Sequence, residues 1–135
     1  MEEKVIEIKQ VSEREIWVGE TRIYLGEDNI VHLISSGEKD KTIAIAVKDA
    51  YIRMANTVEG RIHLLMDVNK SGQPSSEARR IFQEGILEYE KTGKVALFGL
   101  HPVARVITSF ILGVTKKKDI RLFKSKEEAL AWLKE

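Results

Sequence analysis

The first forty residues alternate short apolar runs with turn residues. Residues 16–18 and 22–25 are short runs rich in β-branched and aromatic residues and flank Gly19-Glu20-Thr21. A second turn, Gly26-Glu27-Asp28-Asn29, leads into residues 30–34, and Ser35-Ser36-Gly37 follows. Runs this short, bounded by Gly, Asp and Asn, predict an antiparallel meander. Residues 1–12 are charged and predict a loosely held tail or an edge strand ahead of a domain over residues 13–135.

From Asp40 the period changes. Ile43, Val47, Ala50, Tyr51, Met54 and Val58 recur at spacings of three and four, which places them on one face of a helix. Asp40 suits its N-cap, and Gly60 stands beyond its end. Residues 61–68 then hold a nearly continuous apolar run, as expected of a central strand covered on both faces. Lys70 to Pro74 predicts a loop. Ser75 can cap a second helix reaching Lys91, with Ala78, Ile81, Phe82, Ile86 and Tyr89 inward and Gly93 as its stop. Residues 94–99 form another buried strand, and Pro102 suits the first turn of a helix running to Val114. Residues 119–123 give a short strand, and Ser125-Lys126-Glu127-Glu128 has capping-box spacing before a last helix with Ala129, Leu130, Trp132 and Leu133.

The predicted order is β-β-β-α-β-α-β-α-β-α. Strands alternating with helices imply right-handed crossovers and parallel pairing. The expectation is therefore a single α/β domain: a mixed, mostly parallel sheet with an N-terminal antiparallel hairpin and about four helices.

Composition narrows the function classes. The 135 residues carry a net charge of +1, with 43% apolar and 32% charged positions, which fits one globular domain. There is no Cys, so disulfides, Cys-based zinc sites and thiol catalysis are excluded. Residues 1–12 do not resemble a signal peptide, and no apolar run reaches the ~18–20 residues that span a bilayer. A soluble cytoplasmic protein is the expectation. Charge is unevenly placed, with a local net of −5 over residues 1–40 and +7 over residues 94–126. That asymmetry can steer an acidic partner or bring two copies head to tail; the plainer reading is a patchy solvated surface.

Several segments in this order resemble a known family. They are Leu64-Leu65-Met66-Asp67-Val68 with the Ser/Gly segment and helix behind it, Lys94-Val95-Ala96-Leu97-Phe98-Gly99, and Phe-x-x-x-Glu-Glu-Ala-Leu-x-Trp-Leu from Phe123 to Leu133. Together, across residues 22–134, they resemble the STAS domain of bacterial anti-sigma-factor antagonists, and more closely its SpoIIAA-like relatives described as STAS/SEC14-type proteins. The resemblance implies a regulatory module that binds a protein partner, uses no cofactor and is not an enzyme. It also implies a switch serine at the start of the helix after the Asp67 strand, phosphorylated by a partner kinase. That serine falls on Ser76. Glu77 and Ala78 stand where the antagonists have Gly, and Pro74 is a second departure. A phosphate adds roughly −2 charge at a helix N-terminus, which changes both docking surface and local order. The alternative has Ser75 capping the helix and Ser76 merely occupying its first turn. The candidate docking residues are Asp67, Ser71, Ser75, Ser76 and His101.

Two further readings come from the residues. His101 follows a strand and precedes a helix, at the sheet end where ligands gather, so an acid–base pair with Asp67 is the enzymatic alternative. No nucleophile motif, two-His metal spacing or Gly-rich phosphate cradle accompanies it. His32 and His63 sit among Ile and Leu and read as packed strand residues. Residues 103–114 are nearly all apolar, with only Arg105, Thr108 and Ser109 polar. Val103, Val106, Ile107, Phe110 and Ile111 are therefore candidates for a homodimer contact or for an apolar ligand or lipid surface beside Lys116-Lys117-Lys118. Burial within the fold explains the same pattern. Basic residues 116–126 are interleaved with Ile120, Leu122 and Phe123, which a strand buries, so nucleic acid is not an expected partner.

Overall fold

The structure, a computed structural model, describes residues 6–102 and 119–135. Its strands are β1 (Ile8–Ser12), β2 (Glu15–Val18), β3 (Thr21–Leu25), β4 (Ile30–Lys39), β5 (Ile62–Pro74), β6 (Thr92–Phe98) and β7 (Ile120–Phe123). They lie side by side in chain order in one seven-stranded sheet. The pairings β1–β2, β2–β3 and β3–β4 are antiparallel, and β4–β5, β5–β6 and β6–β7 are parallel. The sheet is thus evenly mixed, where the sequence predicted a mostly parallel one. The difference arises because residues 8–12 join as a full edge strand and the meander feeds directly into β4.

Three α-helices lie among the described residues: α1 (Lys41–Ala55), α2 (Ser76–Phe82) and α3 (Lys126–Leu133). A single π turn, Gln83–Leu87, continues α2, so this helical stretch ends ahead of Lys91, and Gly93 belongs to β6. The helix expected over residues 102–114 falls almost wholly outside the described residues. So do Val103, Val106, Ile107, Phe110 and Ile111.

Alternation along the strands sorts the core into two layers. On one face Ile16, Ile23, Val31, Leu33, Leu64 and Val95 meet Val47, Ala50, Tyr51 and Met54 of α1 and Ile86 beyond α2. On the other, Ile30, Leu65, Ala96 and Phe98 meet Ala129 and Leu133 of α3. Because β4, β5 and β6 carry apolar residues toward both layers, their sequences read as continuous apolar runs.

The largest departure from the sequence reading is at the C-terminal ends of β4 and β5. Residues 35–37 and 70–74 predict loops, yet both strands continue, pairing Ser36 with Lys70, Gly37 with Ser71 and Lys39 with Pro74. Flanking strands are registered only as far as Arg22 opposite Ile34 and Phe98 opposite Asp67. Past those pairs the two strands form a ribbon. It leaves the layered core, so its side chains need not alternate in polarity, and the usual strand signature is lost. Gly72 permits the close approach, since a Cβ there would stand 2.9 Å from the Gly37 carbonyl oxygen.

Candidate functional site

The ribbon and the two helices it feeds define the site. Lys39 pairs with Pro74 in the strand register, and Asp40 and Ser75 are the caps that follow. The N-termini of α1 and α2 therefore emerge side by side. Asp40 Oδ1 accepts from the Ile43 N–H at 2.9 Å, and Ser75 Oγ accepts from the Ala78 N–H at 3.1 Å. Each cap satisfies a donor that the first helical turn leaves free. The Ser75 N–H donates to the Lys39 carbonyl at 3.0 Å and closes the ribbon onto α2.

A set of polar contacts fixes the ribbon to the sheet. The Ser35 and Ser71 hydroxyls lie 2.9 Å apart. Thr21 Oγ1 donates to the Ser36 carbonyl at 3.3 Å and accepts the Ser36 N–H at 3.2 Å. Lys39 is only 3% exposed, and its ammonium donates to the Ser36 carbonyl and, at 3.2 Å, to that of Gly37. Burial pushes the Lys39 pKa below its ordinary value, and Glu20 opposes that shift. Two carbonyls and one nearby carboxylate thus hold a charge that would otherwise be costly to bury.

With Ser75 occupied as the cap, Ser76 is the first residue of α2 and is exposed. Arg79 Nη2 donates to Ser76 Oγ at 3.2 Å, one helical turn on. Glu77 meets Lys41 at 3.7 Å, an exposed pair that ties the starts of α1 and α2 and contributes little energy. The sequence reading missed Arg79, Lys41 and Lys39. The i, i+3 spacing of Ser76 and Arg79 was available to find the first, but nothing in the sequence marked Lys39 for burial.

The other candidates lie further down the strand. Asp67 stands opposite Phe98, and its Oδ1 accepts from the Asn69 backbone N–H at 3.0 Å and side-chain amide at 2.8 Å. No hydrogen bond joins it to His101, which is exposed beyond Gly99. Six residues of extended strand lie between Asp67 and Pro74, a span of roughly 20 Å. Asp67 and Ser76 therefore cannot share a small-molecule pocket, although one protein surface can span both.

The remaining two histidines are packed into the sheet. His32 lies flat on Tyr24, and His63 Nδ1 accepts the Lys94 N–H at 2.9 Å. Among the described residues, no three His, Asp or Glu side chains converge to hold a metal ion, and no helix is long and apolar enough to cross a membrane.

Comparison with solved structures gives the class first. An uncharacterised protein of the DUF3478 family from Shewanella loihica PV-4, described as having a SpoIIAA-like fold, superposes with a TM-score of 0.66 at 16% identity, over 98% of each chain. The anti-sigma factor antagonist SpoIIAA in its unphosphorylated form superposes with a TM-score of 0.54 at 13% identity, over 96% of this chain and 98% of that one. The phosphorylated form of SpoIIAA, a Bacillus cell fate determinant, gives 0.52 at 13% identity, over 95% and 98%. At these identities the likeness is one of fold, and the fold is SpoIIAA-like. The family is more specific: residues 24–135 match the model for a domain of unknown function, DUF7793, and the chain belongs to that family. No curated protein matches the chain.

Proposed function

We propose that this protein is a non-enzymatic regulatory module of STAS type that docks a protein partner on the surface running from Asp67 through Ser71 to Ser75 and Ser76. The observation that carries this reading is the division of labour at the start of α2. Ser75 caps the helix, which leaves the Ser76 hydroxyl exposed beside the Arg79 guanidinium. A phosphate on Ser76 gains a charge-assisted partner in Arg79 and sits at a helix N-terminus, where negative charge is favoured. It also places new negative charge on the proposed docking surface, next to the Glu77–Lys41 pair. SpoIIAA, whose fold this chain shares, exists in phosphorylated and unphosphorylated forms. His101 belongs to the periphery of this surface.

The test is the intact mass of the protein purified from its own host, with and without phosphatase treatment. The expected result is a single phosphate increment that maps to Ser76 and is absent from Ser76→Ala. A chain that never carries phosphate, or carries it elsewhere, removes the switch from this reading.

A further inference from the structure

The described residues have three large apolar side chains that are notably exposed: Ile8 at 55%, Val11 at 52% and Ile45 at 38%. Two belong to β1, and the third faces β1 from α1. Ile8 and Ile45, with Ile6, Ile16 and Ala46, line a groove of about 350 Å³ between the edge of the sheet and the flank of α1. Apolar exposure gathered at a strand edge that no other described strand pairs marks an interaction surface.

The backbone of β1 shows which groups face outward. Ile8 stands opposite Val18 and Lys9 opposite Trp17, and the Glu7 carbonyl accepts from the Gly19 N–H at 2.7 Å. In an antiparallel ladder alternate residues point their N–H and C=O to the same neighbour. Residues 7 and 9 therefore bond to β2, while Ile6, Ile8 and Gln10 offer their backbone groups to the free edge. Side chains alternate too: Ile6 and Ile8 face the groove, and Glu7 and Lys9 lie on the opposite face.

We propose that the occupant of this edge is a second copy of the chain, with the two β1 strands paired antiparallel about a two-fold axis at Ile8. That register puts Ile8 opposite Ile8 of the partner subunit as a hydrogen-bonded pair, using the outward N–H and C=O groups. It sets Glu7 opposite Lys9 of the partner subunit, and Lys9 opposite Glu7 of the partner subunit. These two ion pairs fall at the non-hydrogen-bonded positions, where cross-strand side chains approach most closely. Centring the axis on Gln10 instead runs into the irregularity between Gln10 and Ser12, which ends the regular ladder. The isologous pairing is self-limiting, because each chain spends its only β1 edge on the other. The two grooves join above the paired strands, which covers Ile8 and narrows the exposure of Ile45. With about five residues per strand, the contact is small and the dimer dissociates in the roughly micromolar to sub-millimolar range.

Sedimentation velocity of the full chain from roughly 1 μM to 1 mM tests this pairing. The wild type is expected to self-associate within that range. Glu7→Lys and Lys9→Glu each turn both ion pairs into like-charge pairs and weaken association by roughly tenfold. Both positions are exposed, so the fold is retained. Mixed one to one, the two variants are complementary at both pairs and recover association. A wild type that stays monomeric throughout overturns the proposal and leaves the edge to another protein's strand. A dimer indifferent to both substitutions, or variants that fail to recover on mixing, overturns the Ile8-centred register.

Discussion

The His32 imidazole lies flat on the Tyr24 ring across the β3–β4 pairing, with centroids 4.4 Å apart and planes within 9°. Burial pushes the His32 pKa down to about 4, assisted by the positive charges of Lys126, Arg22 and Lys134. The folded protein thus keeps the imidazole neutral where the unfolded chain, with a pKa near 6.5, takes up a proton. Stability from this residue is complete above pH 6.5 and is lost as pH falls toward 4. Thermal unfolding midpoints measured at steps between pH 7.5 and 4 should decline more steeply in the wild type than in His32→Phe. Equal acid limbs would remove His32 from the pH response.

The buried hydroxyls of Tyr51 in α1 and Thr92 in β6 lie 2.5 Å apart, and Thr92 Oγ1 also donates to the Ile86 carbonyl at 2.8 Å. This contact links α1, the π turn after α2, and the sheet. Tyr51→Phe keeps the ring and removes one partner of a buried hydrogen bond, so it should cost about 1–2 kcal/mol. Chemical denaturation at constant m-value measures the loss.

Where burial followed a period, the sequence displayed it. Val47, Ala50, Tyr51 and Met54 line the buried face of α1 as their spacing predicts, and the run from Ile62 to Leu65 is a strand covered on both faces. The ribbon was not legible, because Lys70-Ser71-Gly72-Gln73-Pro74 has the composition of a loop and is held by backbone pairing and small residues. The same cause hid part of the candidate site. Ser75 declares itself as a cap by type and position, whereas Lys39 is buried against the carbonyls of its own strand, which no side-chain pattern encodes. The evenly mixed pairing was missed for a related reason: all five residues of β1 are exposed, as on a sheet edge, and with the charges that precede them they read equally as a tail.

At the end of β6, Gly99 has φ +97° and lies against Asn69, so a Cβ would stand 2.6 Å from the Asn69 side chain and 2.8 Å from its backbone nitrogen. Gly99→Ala combines a disfavoured backbone conformation with a steric clash and should cost about 2–4 kcal/mol. Trimming the neighbour in Gly99→Ala/Asn69→Ala should return only part of that cost, since the backbone contact and the strain persist. Full recovery in denaturant titrations would show that the clash with the Asn69 side chain was the whole effect.

Ser75 and Ser76 are adjacent in sequence and should respond in opposite ways to removal of the hydroxyl. Ser75→Ala strips the acceptor of the Ala78 N–H and should destabilise the fold by about 1 kcal/mol. Ser76→Ala loses only an exposed contact with Arg79 and should stay within about 0.5 kcal/mol of the wild type. Asp at position 75 can still cap, so Ser75→Asp should retain most of the stability that Ser75→Ala loses. Equilibrium unfolding of the three variants separates the roles. If Ser76→Ala proved the costlier change, the Ser76 hydroxyl would be holding the helix start, and a phosphate there would have to break structure as well as add charge.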